Sequence, residues 1–354
     1  MPECYVQPMT DRQICFQCHK TVTGKRKLSK CSKCHAITYC GRECQVADWP
    51  RHAWNCIPVM VTKIPGKGRG LVAARDIKMG EFIFLDKPAI TLPNHSPIEY
   101  DEGLSEEEYD SIVEQVQNLS SEAKLLFFKL EERRKGIDEC GCLSNTKLRI
   151  LRIFSKNASG DHENMALFLN CALLNHSCAP NAAPGPTEDQ NNEVRAIKDI
   201  SKGEEVTVFY RWFNGTSYKK LGCERKERME VIKDSLGFDC NCCVCAGNVP
   251  IQDEITKELL KLEEGMDRME GKVKRSYLVN TVDKIVDLRL QLTVGHIEDK
   301  ISAIEMLARL GYTIRDEERI EKAKRELKKL AADTQLEYVM KRYEDIDINC
   351  QYDE

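Results

Sequence analysis

The feature that most restricts how this chain can fold is a dense block of cysteines near its N-terminus. Two C-x2-C pairs, each able to bind one ion from a tight turn, are followed by two pairs at i, i+4 spacing, which places both members of a pair on one helical face. Chance clustering of buried cysteines does not explain this spacing. Eight soft ligands fill two tetrahedral zinc sites, and so short a segment needs metal to hold its fold. The eight are Cys15, Cys18, Cys31, Cys34, Cys40, Cys44, His52 and Cys56.

The composition narrows the class of protein further. The chain has 354 residues, enough for two or three domains, and its formal charge of −4 does not demand a nucleic acid or an acidic membrane as partner. No apolar run reaches the roughly 18 residues that span a bilayer, and the first ten residues do not resemble a secretory signal. Because thiols stay reduced inside cells, we expect the 18 cysteines to be metal ligands or free thiols. These features predict an intracellular protein with no membrane partner. We also expect it to be a monomer located in the cytoplasm and nucleus.

A second group of chemistry-bearing residues lies in the middle of the chain. The stretch LLNHSCAPNA, residues 173–182, runs from two leucines into Asn175, His176 and Cys178. Taken alone it has a simpler interpretation, in which the polar residues form a turn and the cysteine packs as a small apolar side chain. Further along, FDCNCCVC carries three cysteines in C-x-C-x2-C spacing. Three thiolates leave a tetrahedral zinc one ligand short.

Two segments read as short strands separated by turns. They are residues 61–90 and 191–213, in which apolar and β-branched residues alternate around the turns PGKGRG, IKMGE and SKGEE. The glycines of PGKGRG let the backbone approach a ligand closely, and Lys67 and Arg69 are suited to a carboxylate, although most glycine-rich turns are only turns. The later strand ends in Tyr210. A tyrosine at a strand end is either a packing or surface residue or part of a functional site.

The motifs GKGRGL, NHSC, GEEVTVFY and FDCNCCVC occur in that order along the chain. Together they resemble a SET-domain lysine methyltransferase with its post-SET segment. The cysteine block, ending in YCGRECQVADWPRHAWNC, resembles the MYND zinc finger. Residues 15–245 are therefore similar to the SMYD family, in the insect-type arrangement where MYND precedes the SET domain. The resemblance implies an S-adenosylmethionine-dependent protein-lysine N-methyltransferase that acts on histone or non-histone lysines in transcriptional regulation.

The resemblance also implies how the metal ligands pair. In MYND fingers the pairs interleave, and in post-SET segments the cysteine of the NHSC motif completes a further site, so that three zinc ions are expected. The first set is Cys15, Cys18, Cys40 and Cys44, the second is Cys31, Cys34, His52 and Cys56, and the third is Cys178, Cys240, Cys242 and Cys245. We expect the remaining cysteines, including the C-x-C pair at Cys140 and Cys142, to be ordinary thiols.

For S-adenosylmethionine, the resemblance implies a distributed set of contacts. Residues 67–69 match the family segment beside the amino-acid end of the cofactor. Asn175 and His176 match residues that hold its amine and adenine, largely through backbone groups, and Phe238 matches the aromatic residue that stacks on adenine. The full cofactor set is Lys67, Gly68, Arg69, Asn157, Asn175, His176, Tyr210 and Phe238.

Three positions bear on the chemistry that the resemblance implies. Asn157 in FSKNAS resembles the family's Asn before the second SET half, but the aromatic residue that usually follows is absent. Tyr210 matches the catalytic tyrosine, which orients the methyl group and lines the lysine channel. Val208 stands where many SET domains have an additional tyrosine, which leaves the number of methyl groups transferred open.

The predicted fold class is α+β: short SET-type sheets with a knot-like crossing, a zinc-bound MYND finger, a helical insert, a post-SET zinc segment and a C-terminal helical domain. For that last domain two interpretations stay open, a roof over the substrate cleft or a plain stabilising bundle. The expected boundaries are 15–56 for the MYND finger, 57–98 for the first SET part, 99–157 for the insert, 158–213 for the SET core, 214–247 for the post-SET segment and 248–354 for the helical domain.

Two functions from different classes fit these features. The first is the methyltransferase, whose partners are a substrate lysine on a protein and, through the MYND finger, proline-containing peptides. The alternative is a MYND-based adaptor or corepressor whose SET fold serves as a scaffold. The basic run GKRKLSK, residues 24–30, is either a solvated loop or a contact for DNA, and we favour the solvated loop.

Overall fold

A computed structural model describes most of the chain, and all that follows concerns the part it covers. The described ranges are 14–21, 28–53, 56–93, 105–132, 145–160, 164–210, 225–247, 250–268, 274–292 and 297–346. Within them, no helix has the length and apolar character needed to cross a bilayer. The C-x-C pair at Cys140 and Cys142 and residues 24–27 of the basic run lie outside the described residues.

The N-terminal cysteine block folds around a two-stranded ribbon and one helix. Its interior is small, as expected for so short a segment, and consists of Cys15, Cys31, Cys34 and a few apolar neighbours. The buried Tyr39 hydroxyl donates a hydrogen bond of 2.7 Å to Asp48, which ties the ribbon to the helix. The elements are β1 (Ser29–Lys30), β2 (Thr38–Tyr39) and α1 (Arg42–His52).

The central region is built from short strands in three small sheets. The orders are β3-β4-β12-β9, β10-β11-β5 and β6-β8-β7, so that each sheet pairs at least one strand with a strand distant in the sequence. The pairings are antiparallel except that of β9 with β12, which is parallel. The strands are β3 (Val59–Ile64), β4 (Gly68–Ala73), β5 (Phe82–Asp86), β6 (Pro88–Pro93), β7 (Ser159–Gly160), β8 (Asn164–Phe168), β9 (Asn175–His176), β10 (Ala182–Pro186), β11 (Asn192–Ala196) and β12 (Glu205–Val208).

A helical insert separates the early strands from the late ones and completes the main core. Ser105 and Glu108 form a capping box at the start of its first helix, which satisfies backbone N–H groups that would otherwise lack partners. The apolar stripe of the last insert helix, residues 150–154, packs into the core shared with the sheets. The insert helices are α2 (Glu106–Asn118), α3 (Ser121–Phe127) and α4 (Asn145–Asn157).

Helices dominate the chain after the last strand. The late helices share their own apolar core, which also contains Ala183 of β10. Where they meet the sheet, a Cβ on Gly185 would lie 2.6 Å from the ring of Tyr338, so that only glycine admits this contact. The Glu337 N–H donates a 2.6 Å hydrogen bond to Glu193 beside it. The helices are α5 (Arg225–Leu236), α6 (Pro250–Asp267), α7 (Arg275–Gln291), α8 (Ile297–Ile314), α9 (Glu317–Thr334) and α10 (Glu337–Glu344).

This arrangement confirms the predicted α+β class, with short sheets, a helical insert and a C-terminal helical region. The strand predictions for residues 61–90 and 191–213 agree with β3 to β6 and with β11 and β12, but β12 ends at Val208 and not at Tyr210 as expected, and residues 211–213 lie outside the described part of the chain.

Candidate active site and metal centres

The N-terminal block contains two groups of four potential ligands. The members are Cys15, Cys18, Cys40 and Cys44 in one group and Cys31, Cys34, His52 and Cys56 in the other, and the ligand atoms of each group lie within 4.8 Å of one another. These are the interleaved sets that the family resemblance implied. The Sγ atoms of Cys40 and Cys44 are 3.5 Å apart, and the His52 Nε2 lies 3.6 Å from the Cys34 Sγ. Zinc–sulfur bonds of about 2.3 Å in a tetrahedron separate sulfurs by about 3.8 Å, so the spacing fits zinc.

A third group joins two segments that are far apart in the sequence. Cys178 of the NHSC motif lies 3.5 Å from Cys245 and 3.9 Å from Cys240, measured between Sγ atoms. Cys242 completes the group, and all four side chains are buried. Four convergent, buried thiols fit a structural zinc site. The cysteine of the central motif therefore lies where the C-x-C-x2-C segment needs a fourth ligand.

Parallel pairing of β9 with β12 brings the NHSC motif beside Tyr210. Asn175 is opposite Thr207, and His176 is opposite Val208. The Tyr210 hydroxyl donates a 2.7 Å hydrogen bond to the Leu174 carbonyl, and its backbone N–H donates a 3.0 Å bond to the His176 Nδ1. Burial, and then the charge of Glu205, raises the pKa of Tyr210. The phenol therefore stays protonated at neutral pH.

A carboxylate at the start of β12 links the glycine-rich turn to the NHSC motif. Glu205 accepts a 2.7 Å hydrogen bond from Lys67 and a 2.8 Å bond from the Asn175 amide. The same amide donates to the Arg69 carbonyl at 3.1 Å. A Cβ on Gly70 would lie 2.6 Å from the Asn175 Nδ2, so the two segments meet only because this residue is glycine.

A buried carboxylate positions the turn that leads into the NHSC motif. Asp86 ends β5 and accepts 2.8 Å hydrogen bonds from the backbone N–H groups of Asn170 and Cys171. It also accepts a 3.0 Å bond from the Asn170 amide. Burial raises the pKa of Asp86 to about 6, although these hydrogen bonds oppose the shift. Its place fixes the 3-10 turn Cys171–Leu173, directly before Leu174.

The insert and the end of α5 reach the same region. Arg69 donates a hydrogen bond to the Lys129 carbonyl, and Asn157 donates a 2.8 Å bond to the Glu131 carbonyl. Lys156, next to Asn157, bonds the Leu236 carbonyl at 2.9 Å. Asn157 therefore lies beside the loop that contacts the glycine-rich turn, and its side-chain amide is engaged by backbone carbonyls.

Three aromatic rings lie close to the imidazole of His176. Its imidazole centroid is 5.2 Å from that of Phe209, 5.4 Å from Tyr210 and 6.0 Å from Phe238. Burial lowers the pKa of His176 to about 4. The imidazole is thus neutral at physiological pH, and the half-buried Phe238 ring is held near it.

Comparison with known proteins connects this geometry to a family. The MYND finger family model matches residues 15–56, and the SET domain model matches residues 68–211. The chain thus carries a MYND finger followed by a SET domain, in the order that the sequence analysis predicted.

Among its relatives, N-lysine methyltransferase SMYD2-B of Xenopus laevis is 28% identical over 73% of this chain and 57% of its own length. SMYD2 of Homo sapiens gives the same values. Histone-lysine N-methyltransferase SMYD3 of Mus musculus is 26% identical over 70% of this chain and 58% of its own length. The matched region thus spans less than two thirds of these relatives.

Two residues of the site were missed by the sequence analysis. Glu205 stands in the quoted motif GEEVTVFY, and an acidic residue opposite a Lys-containing turn was the available signal. Asp86 follows FIFL at a strand end, where a carboxylate after an apolar run is a recognisable feature. Both roles depend on which strands pair, and the linear sequence does not give that pairing.

Proposed function

We propose that this protein is a SMYD-type protein-lysine N-methyltransferase that uses S-adenosylmethionine and acts on histone or other protein lysines. The observation that carries the proposal is the meeting of three motifs at one place. Glu205 joins the glycine-rich turn to Asn175, and Tyr210 bonds both Leu174 and His176. If these three motifs met only to stabilise the fold, their contact would not need so many polar side chains.

The residues at the place where these three motifs meet fit the cofactor. A glycine-lined turn allows close approach of a ligand to the backbone, and Gly68 adopts a φ of 79°, which favours glycine. Cationic and amide groups beside it suit an amino-acid moiety, while Phe238 offers an apolar face to a purine. The residues proposed to hold the cofactor are Lys67, Gly68, Arg69, Asn157, Asn175, His176, Tyr210 and Phe238. When bound, S-adenosylmethionine supplies an electrophilic methyl group on a sulfonium.

The substrate lysine must attack as a neutral amine. A free lysine has a pKa of about 10.4, so its neutralisation at pH 7 costs roughly 4–5 kcal/mol. A narrow apolar channel lowers this cost by disfavouring the ammonium form, and a nearby positive charge acts in the same direction. The remaining requirement is alignment of the amine with the methyl group. Tyr210 provides a fixed hydroxyl for that purpose, and its raised pKa argues against a role as an ionised base.

The metal clusters are proposed to be structural zinc sites. Two would hold the MYND finger, and the third would attach the post-SET segment to the NHSC motif. Such thiolate sites require a reducing compartment, which supports the cytoplasm and nucleus as its location. In this proposal the clusters hold segments in place and do not take part in methyl transfer.

The MYND finger is proposed to recruit proline-containing peptides, including those of transcriptional regulators. Helix α1 exposes Trp49 and Val46, with 43% and 62% of their surface accessible. Exposed aromatic and apolar side chains on a rigid, metal-held helix suit a short apolar peptide.

A lysine-peptide array with methyl-labelled S-adenosylmethionine tests the enzymatic proposal. The wild-type protein should label a subset of lysine peptides, and the same peptides with arginine in place of the target lysine should stay unlabelled. Calorimetry with S-adenosylhomocysteine serves as the companion measurement. No binding of this product and no labelling of any peptide, while the MYND finger still binds proline-containing peptides, would favour the adaptor instead.

A further inference from the structure

His176 lies between the third metal cluster and the active-site tyrosine. Its imidazole is buried, with 4% of the residue surface accessible. On one side, the Nδ1 atom accepts a 3.0 Å hydrogen bond from the Tyr210 backbone N–H. On the other side, the Nε2 atom lies 3.4 Å from the Cys178 Sγ. One ring therefore contacts both the residue assigned to catalysis and a proposed metal ligand.

The first contact determines the tautomer of the ring. A backbone N–H only donates, so the His176 Nδ1 must be an unprotonated acceptor. The ring proton of the imidazole then lies on Nε2, which faces the sulfur of Cys178. An N–H group at 3.4 Å from a thiolate is positioned to donate a hydrogen bond to it, and such bonds stabilise the charge of a metal-bound sulfur.

The surrounding rings prevent His176 from turning away. Phe209, Tyr210 and Phe238 surround it with centroid distances between 5.2 and 6.0 Å. Rotation of the imidazole by half a turn about its Cβ–Cγ bond would place a carbon toward the Tyr210 N–H and leave that buried donor without its acceptor. Packing and hydrogen bonding thus select the same orientation.

We propose that the His176 side chain is a positioning residue that couples the third metal cluster to Tyr210. Its Nε2–H bond stabilises the Cys178 thiolate, and its Nδ1 atom fixes the backbone of Tyr210 after the end of β12. This role is distinct from the backbone contacts to the cofactor that the family resemblance implied. The metal half stands by itself, while the catalytic half rests on the proposed methyltransferase function.

Substitution of His176 by amide side chains of two lengths separates the bond to Cys178 from the bond to Tyr210. In His176→Asn, the shorter side chain brings an oxygen near the position of Nδ1 and keeps an acceptor for Tyr210, but it lacks the donor to sulfur. In His176→Gln, the longer side chain brings an NH2 group near the position of Nε2 and keeps the donor, but it lacks the acceptor. His176→Phe keeps a ring and loses both hydrogen bonds.

Two readouts do not require methyl transfer. The first is zinc release to a chromophoric chelator, in which the phase absent from Cys178→Ala identifies the third cluster. Loss of a hydrogen bond to a metal ligand costs about 10–100-fold in affinity. Zinc release from the third cluster should therefore accelerate about tenfold or more in His176→Asn and His176→Phe, and it should stay near the wild-type rate in His176→Gln. The second is the backbone amide signal of Tyr210 in protein labelled with ¹⁵N-tyrosine, which should shift in Gln and Phe and stay near its wild-type position in Asn.

A third readout addresses catalysis. The Gln variant should lose about tenfold or more in kcat, with the KM for S-adenosylmethionine within a few-fold. Equal zinc release from the wild type and the Asn and Phe variants would overturn the sulfur bond. An unchanged Tyr210 signal in Gln and Phe would overturn the link to tyrosine. A wild-type protein without methyl transfer would remove the catalytic half only, because the zinc and amide measurements test the bridge independently.

Discussion

At the scale of single residues, the site depends on side chains that hold other segments in place. Glu205 joins Lys67 to Asn175, and Asp86 holds the turn before Leu174. Gly70 contributes by having no side chain, because a Cβ at this position would overlap the Asn175 amide. Each of these residues affects Tyr210 or the glycine-rich turn without being the reacting group. Substitutions should therefore separate positioning from chemistry.

Gly70→Ala should weaken cofactor binding and destabilise the fold. The new Cβ would lie 2.6 Å from the Asn175 Nδ2 and 2.7 Å from the Ile64 Cγ1, so β4 and β9 would have to separate. Overpacking of this kind costs about 1–3 kcal/mol. Gly41→Ala is the matched control, since a Cβ at that glycine has nothing within 4 Å. Urea denaturation measures the stability, and calorimetry with S-adenosylhomocysteine measures the cofactor affinity. Equal stability and affinity of the two variants would contradict the claim that Gly70 is needed for the close contact with Asn175.

Asp86→Asn should change how stability depends on pH. Burial raises the folded-state pKa of Asp86 to about 6, above the ordinary value of about 3.9. The folded state thus holds the proton more tightly, and the stability contributed by this group is fully present below pH of about 4 and is lost as pH rises through about 6. The Asn variant has no such ionisation.

Between pH 5 and 7.5, the wild type should therefore lose about 1–1.5 kcal/mol of unfolding free energy relative to Asp86→Asn. Urea denaturation of both proteins at the two pH values measures this difference, in which contributions from other titrating groups cancel. A difference between the two proteins that does not change with pH would show that Asp86 has an ordinary pKa.

At the scale of elements, sequence reasoning identified local features and missed those created by distant pairing. The C-x2-C and i, i+4 spacings pointed to metal sites because such ligands lie close along the chain. The strands around GKGRG were readable from local patterns. The parallel pairing of Asn175 with Thr207 was not, because only the three-dimensional fold sets that register. Contacts that depend on it, such as those of Glu205, therefore appeared only in the structure.

Cys178→Ala should release the post-SET segment and weaken cofactor binding, although this side chain need not touch the cofactor. The loss of one of four buried thiols opens the third cluster and frees the segment that carries Phe238. We expect a fall in S-adenosylhomocysteine affinity of about tenfold or more and faster proteolysis within residues 237–247. Cys243→Ala is the control, because Cys243 is exposed in the same segment and outside the cluster. Unchanged affinity in Cys178→Ala would count against the bridge.

At the scale of the whole molecule, separate apolar cores are joined by a few specific contacts. The C-terminal helices have their own core and meet β10 where Gly185 accommodates Tyr338. The cysteine clusters lie in two places: two hold the N-terminal block, and one joins the NHSC motif to the segment after α5. A helical region was expected here, but the role of Gly185 in its docking depends on the contact with Tyr338, which only the fold creates.

The purified protein should carry three zinc ions per chain. This number follows from eleven cysteines and one histidine grouped into three sets of four. Elemental analysis of the folded protein should return about three equivalents for the wild type and about two for Cys178→Ala. Two equivalents in the wild type would remove the third site from the account.

The central claim, that Tyr210 belongs to a methyl-transfer site, is tested most directly by single-turnover methylation of wild type and Tyr210→Phe side by side. The variant keeps the ring and loses only the hydrogen bond to the Leu174 carbonyl, so stability should fall by no more than about 1–1.5 kcal/mol. Cofactor affinity should stay within a few-fold. The methyl-transfer rate should fall on the order of a hundredfold, as when one preorganised group is removed from an active site. A variant that transfers methyl groups at the wild-type rate would contradict the assignment of Tyr210 and of the site built around it.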